Sequence, residues 1–239
     1  MAYQLNKKMV IGVSSRTLFD LTVENEIFET QGLEAYRRYQ TEHENDILKP
    51  GPGFQLIKGL LQLNERKPEQ DLVEVIIMSH NSPNTALRIF NTVSHYGLAV
   101  SRFVLVSGAS LAPYLTAFHT DLFLSACEKD VQCAVDNGIA AGIICTEYKN
   151  DQVCRIPTAT AQIRIAFDGD AVLFAEESER IYREKGLTAF EENERVHAME
   201  PLPEGPFAKF LKKLSDLQQE FSYEDCPIRT ALVTARSAP

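Results

Sequence analysis

The feature that most constrains this chain is that it repeats itself. Shifted by 154 residues, the sequence aligns with itself without a gap over about fifty positions. Ile11 falls on Ile165, Ile27 on Ile181, Gly32-Leu33 on Gly186-Leu187, Ala35 on Ala189, His43 on His197 and Gly51-Pro52 on Gly205-Pro206. Lys58, Leu60 and Leu63 fall on Lys212, Leu214 and Leu217, while the pairs Phe28/Tyr182 and Tyr36/Phe190 keep size and apolarity. With one inserted residue the match resumes, residues 73–82 falling on 228–237. A fixed register through both glycines and the Gly-Pro pair is improbable by chance, and a period this long describes a repeated domain rather than a solenoid.

Each copy reads as strand, helix, Gly-Pro turn, helix, strand. The apolar runs at 9–13, 73–78, 103–106, 122–124 and 139–144 predict strands in copy one, and 163–167 and 229–233 predict strands in copy two. Their near-continuous apolarity, alternating with helical periodicity such as that of residues 84–96, indicates parallel strands covered on both faces. The expected fold class is therefore α/β, with two tandem parallel-sheet units, residues 1–150 and 160–239. Copy one runs from about Met9 to about Thr146, which at the same spacing places the end of copy two near residue 300. Copy two is thus expected to be incomplete, because a parallel sheet lacking its later strands leaves an apolar edge.

Composition narrows the partners. A net charge of −9 over 239 residues argues against a nucleic-acid backbone, whose binding needs a basic face. No apolar run approaches the roughly 18 residues of a membrane helix. The apolar stretch in MAYQLNKKMVIGV is too short for a secretory signal, so a cytoplasmic protein is expected. Cys127, Cys133, Cys145, Cys154 and Cys226 form no CxxC pair and are expected as buried, reduced thiols, and the five scattered histidines do not support zinc. The sequence leaves a homo-oligomer open.

Chemistry concentrates at QIRIAFDGDAVLFAEES, residues 162–178. An apolar strand runs into Asp168-Gly169-Asp170. In open parallel sheets ligands bind beyond the carboxyl ends of strands, where this acidic pair falls. A spacing of two keeps both carboxylates on one side of an extended backbone. Two carboxylates with a hard cation suit phosphoryl transfer, one attacking phosphorus and the other handling the leaving-group proton. A calcium loop would need further oxygen ligands, which Ala171, Val172, Leu173 and Phe174 do not supply. A second segment, ALVTARS, ends an apolar strand on Thr234 and Ala235, where a hydroxyl and backbone N–H groups can hold a phosphate oxygen. Taken alone, Asp-Gly-Asp is also a common turn and Thr234 also a helix cap.

The segment from Phe167 to Val172 resembles the first motif of haloacid-dehalogenase-like hydrolases, and Leu232-Val233-Thr234 resembles their second. FDGDAVLFAEESER, GPFAKFLKKL, CPIRTALVTARS and VSSRTLFD are more closely similar to the cytosolic type I 5′-nucleotidases, over essentially the whole chain. The resemblance implies tandem haloacid-dehalogenase-like, Rossmann-like units and Mg²⁺-dependent hydrolysis of nucleoside 5′-monophosphates such as AMP. It implies Asp168 as the phosphate acceptor, Asp170 as general acid and then base, both as metal residues, and Thr234 with Ala235 as phosphate-binding. The family's phosphate-neutralising lysine and later acidic pair find no counterpart before Pro239, so the 239-residue polypeptide alone is expected to be nearly inactive. A phosphatase of other small phosphate esters and a non-catalytic nucleotide-binding protein are the alternatives.

The repeat also reads each catalytic position in copy one. Asp168 aligns with Ser14, Asp170 with Arg16 and Thr234 with Ser79, while the later acidic position aligns with Ser125-Ala126. Copy one is expected to be a non-catalytic twin in which Ser14, Ser15, Arg16, Ser79 and Asn81 form an anion site. A purely structural role for copy one remains the alternative. His43 and His197, both before Gly-Pro turns, are expected to make structural hydrogen bonds, and Gly51-Pro52-Gly53 is a turn because no GK[ST] follows.

Overall fold

The computed structural model describes residues 5–145, 162–169, 172, 177–197, 199 and 204–234. The chain divides into two compact units, residues 1–161 and 162–239.

In the first unit, strands β1 (Met9–Val13), β2 (Val73–Ser79), β3 (Arg102–Leu105), β4 (Leu122–Ser125) and β5 (Ala140–Ile143) form one parallel sheet in the order β3-β2-β1-β4-β5. Every residue of β1, β2 and β4 is buried, which explains why these strands read as continuous apolar runs rather than alternating ones. On one face Val10, Ile76, Met78, Val104 and Phe123 pack with Leu115 of α5 (Ala112–Ala117) and with Val131 and Ala134 of α6 (Glu128–Asp136). Alternate residues Ile11, Val75 and Ile77 face the other way. They are fully buried on the side that takes α3 (Phe54–Arg66) and α4 (Leu87–His95), whose Ile57, Leu60, Ile89 and Val93 are also buried. Each such side chain contributes roughly 1.5–3 kcal/mol on leaving water. This is the Rossmann-like α/β arrangement of the haloacid-dehalogenase-like class.

Two expectations need correction here. Residues 84–96 are not one helix: a 3₁₀ turn at Asn84–Ala86 precedes α4, and the apolar Leu87 is half exposed. Pro83 sets φ for that tight start, so the helical phase begins later than periodicity suggests. The thiols are not generally buried: Cys226 is, but Cys127 and Cys133 are partly exposed and Cys145 is exposed. All four are free; Cys154 lies outside the described residues.

Between β1 and β2 the chain forms α1 (Ser15–Leu18), a short turn, and α2 (Thr22–Glu42), interrupted at Gly32 with φ 82° and ψ −177°. Only glycine enters that region without cost. The Gly51-Pro52-Gly53 turn then packs against α1. Gly51 N–H donates to Leu18 O at 2.9 Å and Gly53 N–H to Thr17 O at 2.9 Å, and a Cβ on Gly51 would stand 2.9 Å from the Phe19 backbone. The glycines thus hold the turn after β1 in place.

The second unit pairs β6 (Ile163–Asp168) with β7 (Ile228–Val233) in parallel. Helices α7 (Glu177–Lys185), α8 (Leu187–Val196) and α9 (Ala208–Gln219) lie between them in sequence. Its core joins Ile163, Phe167 and Ile228 to Phe210, Leu214 and Leu217 of α9, with the Phe167 and Phe210 rings 6.2 Å apart. Matched positions of the two units share local geometry. Met9 stands opposite Val73, and Ile163 opposite Ile228. Gly186, before α8, has φ 81° and ψ −179°, the conformation of Gly32. Phe28 and Tyr36 meet edge to face at 5.9 Å, Tyr182 and Phe190 at 6.2 Å.

Candidate active site at the carboxyl ends of β6 and β7

Asp168 is the last residue of β6 and is exposed. Its place follows from the strand's pattern: Ile163 and Phe167 are buried against α9, which fixes the phase and carries the chain outward at the next residue. The register sets Asp168 opposite Val233, one residue before the exposed Thr234. Neighbouring strands lie about 4.8 Å apart, so the carboxylate and the hydroxyl rise from adjacent strand ends at one edge of the sheet. Beside Asp168, Gly169 is buried, and Phe207 N–H donates to Val172 O at 3.1 Å, tying the segment after the acidic pair to the start of α9. Asp170 and Ala235 lie outside the described residues.

Across the chain a family model described as 5′-nucleotidase matches residues 1–239. The chain belongs to the 5′-nucleotidase family. The human protein named Cytosolic 5′-nucleotidase 1B is 40% identical to it over 239 residues, covering 96% of this chain and 38% of that relative. The chain thus spans less than two-fifths of that relative's length.

A 5′-nucleotidase of this class implies a metal ion. Among the described residues no group of three or more His, Cys, Asp and Glu gathers to hold one. Asp168 offers a hard carboxylate oxygen at an open strand tip, the donor type that Mg²⁺ takes alongside water and substrate phosphate oxygens. The fit is one of donor chemistry, with Asp168 as its described member. No helix of the described residues is long and apolar enough to cross a membrane.

In the first unit the matched strand tips carry hydroxyls. Ser15 Oγ and Ser79 Oγ lie 3.2 Å apart and buried, and Asn81 N–H donates to Ser79 Oγ at 3.2 Å. Ser14 is turned inward instead: its Oγ caps α1 by accepting from Thr17 N–H and meets Thr17 Oγ1 at 3.0 Å. Arg16 stands on α1, partly exposed. His43 and His197 serve locally, their Nδ1 atoms 2.7 Å from Asp46 Oδ2 and 2.9 Å from Asn193 O.

Sequence reasoning missed a buried polar network beside Ser79. Gln40 Nε2 donates to Tyr36 Oη at 3.0 Å, and the Tyr36 hydroxyl donates to Asn81 Oδ1 at 2.6 Å. Burial pushes the Tyr36 phenol above its ordinary pKa, and Glu24 adds to that, while the bonds to Gln40 and Asn81 oppose it. Glu24 and Arg88, both buried, form an ion pair, and Arg88 Nε donates to Asp46 O at 2.8 Å. The signal was present as Glu24 and Arg88 at otherwise buried helix positions, but their pairing spans 64 residues and no local pattern reveals it. A second pair, His80 Nε2 with Asp130 Oδ1 at 2.9 Å, joins the end of β2 to α6.

Proposed function

We propose that the protein hydrolyses nucleoside 5′-monophosphates of the AMP type, with Asp168 as nucleophile. One observation carries this reading: a carboxylate ends β6 one residue short of a threonine that follows β7, on adjacent parallel strands. Family membership over the whole chain supports the reaction class, and the name of the human relative supports the nucleotide substrate.

In the proposed reaction an Asp168 carboxylate oxygen forms a bond to phosphorus while the bond from phosphorus to the ribose O5′ breaks. Asp170 hands its proton to the departing O5′ oxygen. Water then attacks the phosphorus of the acyl phosphate, Asp170 takes its proton, and phosphate leaves with Asp168 restored. Thr234 donates its hydroxyl to a phosphoryl oxygen, and the backbone N–H of Ala235 adds a second donor. Asp168 and Asp170 would hold Mg²⁺, which supplies charge neutralisation at the phosphoryl oxygens. The first unit, with serine at the nucleophile position and arginine two residues on, is proposed to be non-catalytic.

The test is phosphate release from AMP by the protein at its full natural length. Release should require Mg²⁺ and should fall by about a thousandfold or more in Asp168→Asn, the scale of losing a covalent nucleophile. Turnover that persists in Asp168→Asn, or that resists chelation, overturns the assignment. A panel of sugar phosphates run alongside separates a nucleotidase from a phosphatase of small esters.

A further inference from the structure

The first unit brings three strand ends together at one edge of its sheet. β2, β1 and β4 are neighbours, and each ends at or just before a serine: Ser79 closes β2, Ser14 and Ser15 follow β1, and Ser125 closes β4. The tips are held close, since Ser14 N–H donates to Leu124 O at 2.9 Å and the Ser15 and Ser79 hydroxyl oxygens are 3.2 Å apart.

Counting protons shows what this edge lacks. Ser15 and Ser79 own two hydroxyl protons, but only one can lie between their oxygens. Ser79 Oγ already accepts from Asn81 N–H, and the second proton has no acceptor among the described residues. Ser125 is fully buried and accepts from Cys127 N–H at 3.1 Å, and its own proton likewise has no acceptor among them. The Tyr36 hydroxyl takes up Asn81 Oδ1, leaving the Asn81 amide N–H₂ as a donor. Arg16, on the turn that leaves β1, has no carboxylate partner among the described residues. The nearest acid in the chain after β4 that is bonded across this edge, Asp130, is engaged by His80 at 2.9 Å. Buried donors without acceptors are costly, so an edge that gathers several is poised for a ligand made of acceptors.

The chemistry is the reverse of the β6–β7 edge. Where the second copy's sequence has Asp168 and Asp170, the first copy's has Ser14 and Arg16, so two negative charges give way to one positive charge. Hydroxyl protons, an amide and a guanidinium cannot ligate a divalent cation as a carboxylate set does, whereas they match the oxygens of a phosphate group.

We propose that the carboxyl edge of the first unit's sheet is a metal-independent site for a phosphate group, with the spare hydroxyl proton of the Ser15–Ser79 pair, Ser125 and Asn81 donating to its oxygens and Arg16 neutralising its charge. The site does not rest on the catalytic reading of Asp168. Its chemistry is shared by free phosphate and by the phosphate of a nucleotide, and the test separates the two.

Orthophosphate and AMP are titrated separately into the chain by calorimetry in excess EDTA, with wild type, Arg16→Gln, Ser79→Ala and Asp168→Asn compared. Saturable binding in EDTA is expected, undiminished in Asp168→Asn. Arg16→Gln should weaken it at least about tenfold, the scale of losing a charge-assisted contact, and Ser79→Ala severalfold. Binding of AMP much tighter than orthophosphate would identify the phosphate as part of a nucleotide, and equal binding would identify free phosphate. Ser79→Ala removes a buried bond and is first checked by circular dichroism. Arg16→Gln, at a partly exposed position, keeps the test decisive if Ser79→Ala does not fold. Absence of saturable binding in EDTA, binding equal in Arg16→Gln and wild type, or binding lost in Asp168→Asn would each overturn the proposal.

Discussion

β1 and β6 begin alike and end differently. Both are parallel strands paired in the same register with the strand that follows the Gly-Pro turn and its helix. Yet β1 is buried at every residue, and β6 is buried only at Ile163 and Phe167. β2 is likewise buried throughout, whereas β7 leaves Leu232 and Val233 more than half exposed. The neighbours explain this. β1 and β2 sit inside a five-stranded sheet with helices on both faces, while β6 and β7 form a two-stranded sheet among the described residues. The same local pattern can therefore be a closed core in one place and an open strand tip in another. The tips diverge in chemistry too: Asp168 beside Thr234 in the second unit, and serines with an arginine in the first.

The contrast extends to the helices between the paired strands. In the first unit α2 is pinned to the core by the Glu24–Arg88 ion pair and by Tyr36 on Asn81. In the second unit Ser178 stands at the position of Glu24 and Phe190 at that of Tyr36, so neither anchor has a matching side chain.

The comparison can be broken at several points. Its largest test is functional: Asp168→Asn should lower AMP hydrolysis by about a thousandfold or more while leaving EDTA-resistant phosphate binding intact. A parallel loss of both would show that the two edges are not chemically distinct. Next, Arg88→Ala should destabilise the first unit by about 3–5 kcal/mol, because it strands the buried Glu24 carboxylate. Urea denaturation followed by fluorescence reads this, and a loss below about 1 kcal/mol would mean the pair does not anchor α2. Gly51→Ala should cost about 1–3 kcal/mol in the same assay, since the added Cβ meets the Phe19 backbone at 2.9 Å.

The smallest effect sharpens the anchor itself. Tyr36→Phe should cost about 1 kcal/mol at neutral pH through its bonds to Gln40 and Asn81. Because the folded phenol is raised, its protonation favours the folded state fully below the ordinary tyrosine value of about 10, and that contribution fades as pH climbs above it toward the folded value. Wild type should thus lose stability more steeply than Tyr36→Phe above pH of about 10, and melting curves across that range check it.

Much of the fold was legible because it is written in local pattern. The runs at 9–13 and 163–167 gave strands within one residue of those observed, since an apolar stretch of that length bounded by polar residues has few other uses. The place of Asp168 was legible for the same reason, being the first charged residue past such a run beside the strand that leads to Thr234. The Tyr36–Asn81 bond, the Glu24–Arg88 pair and the inward turn of Ser14 were not, because each depends on partners that only the folded sheet brings near. The start of α4 was misplaced because Pro83 leads into a 3₁₀ turn at Asn84–Ala86, which takes up the first residues of the periodic pattern before the α-helix begins at Leu87.

Trapping the covalent intermediate asks whether Asp168 itself takes the phosphoryl group. The protein at its full natural length, incubated with AMP carrying labelled phosphate and Mg²⁺, is quenched in acid and reduced with borohydride, which converts an aspartyl phosphate to homoserine. Homoserine is expected at position 168 in the wild type, and none in Asp168→Asn. Conversion at any other aspartate, or label that survives in Asp168→Asn, would rule out Asp168 as the nucleophile.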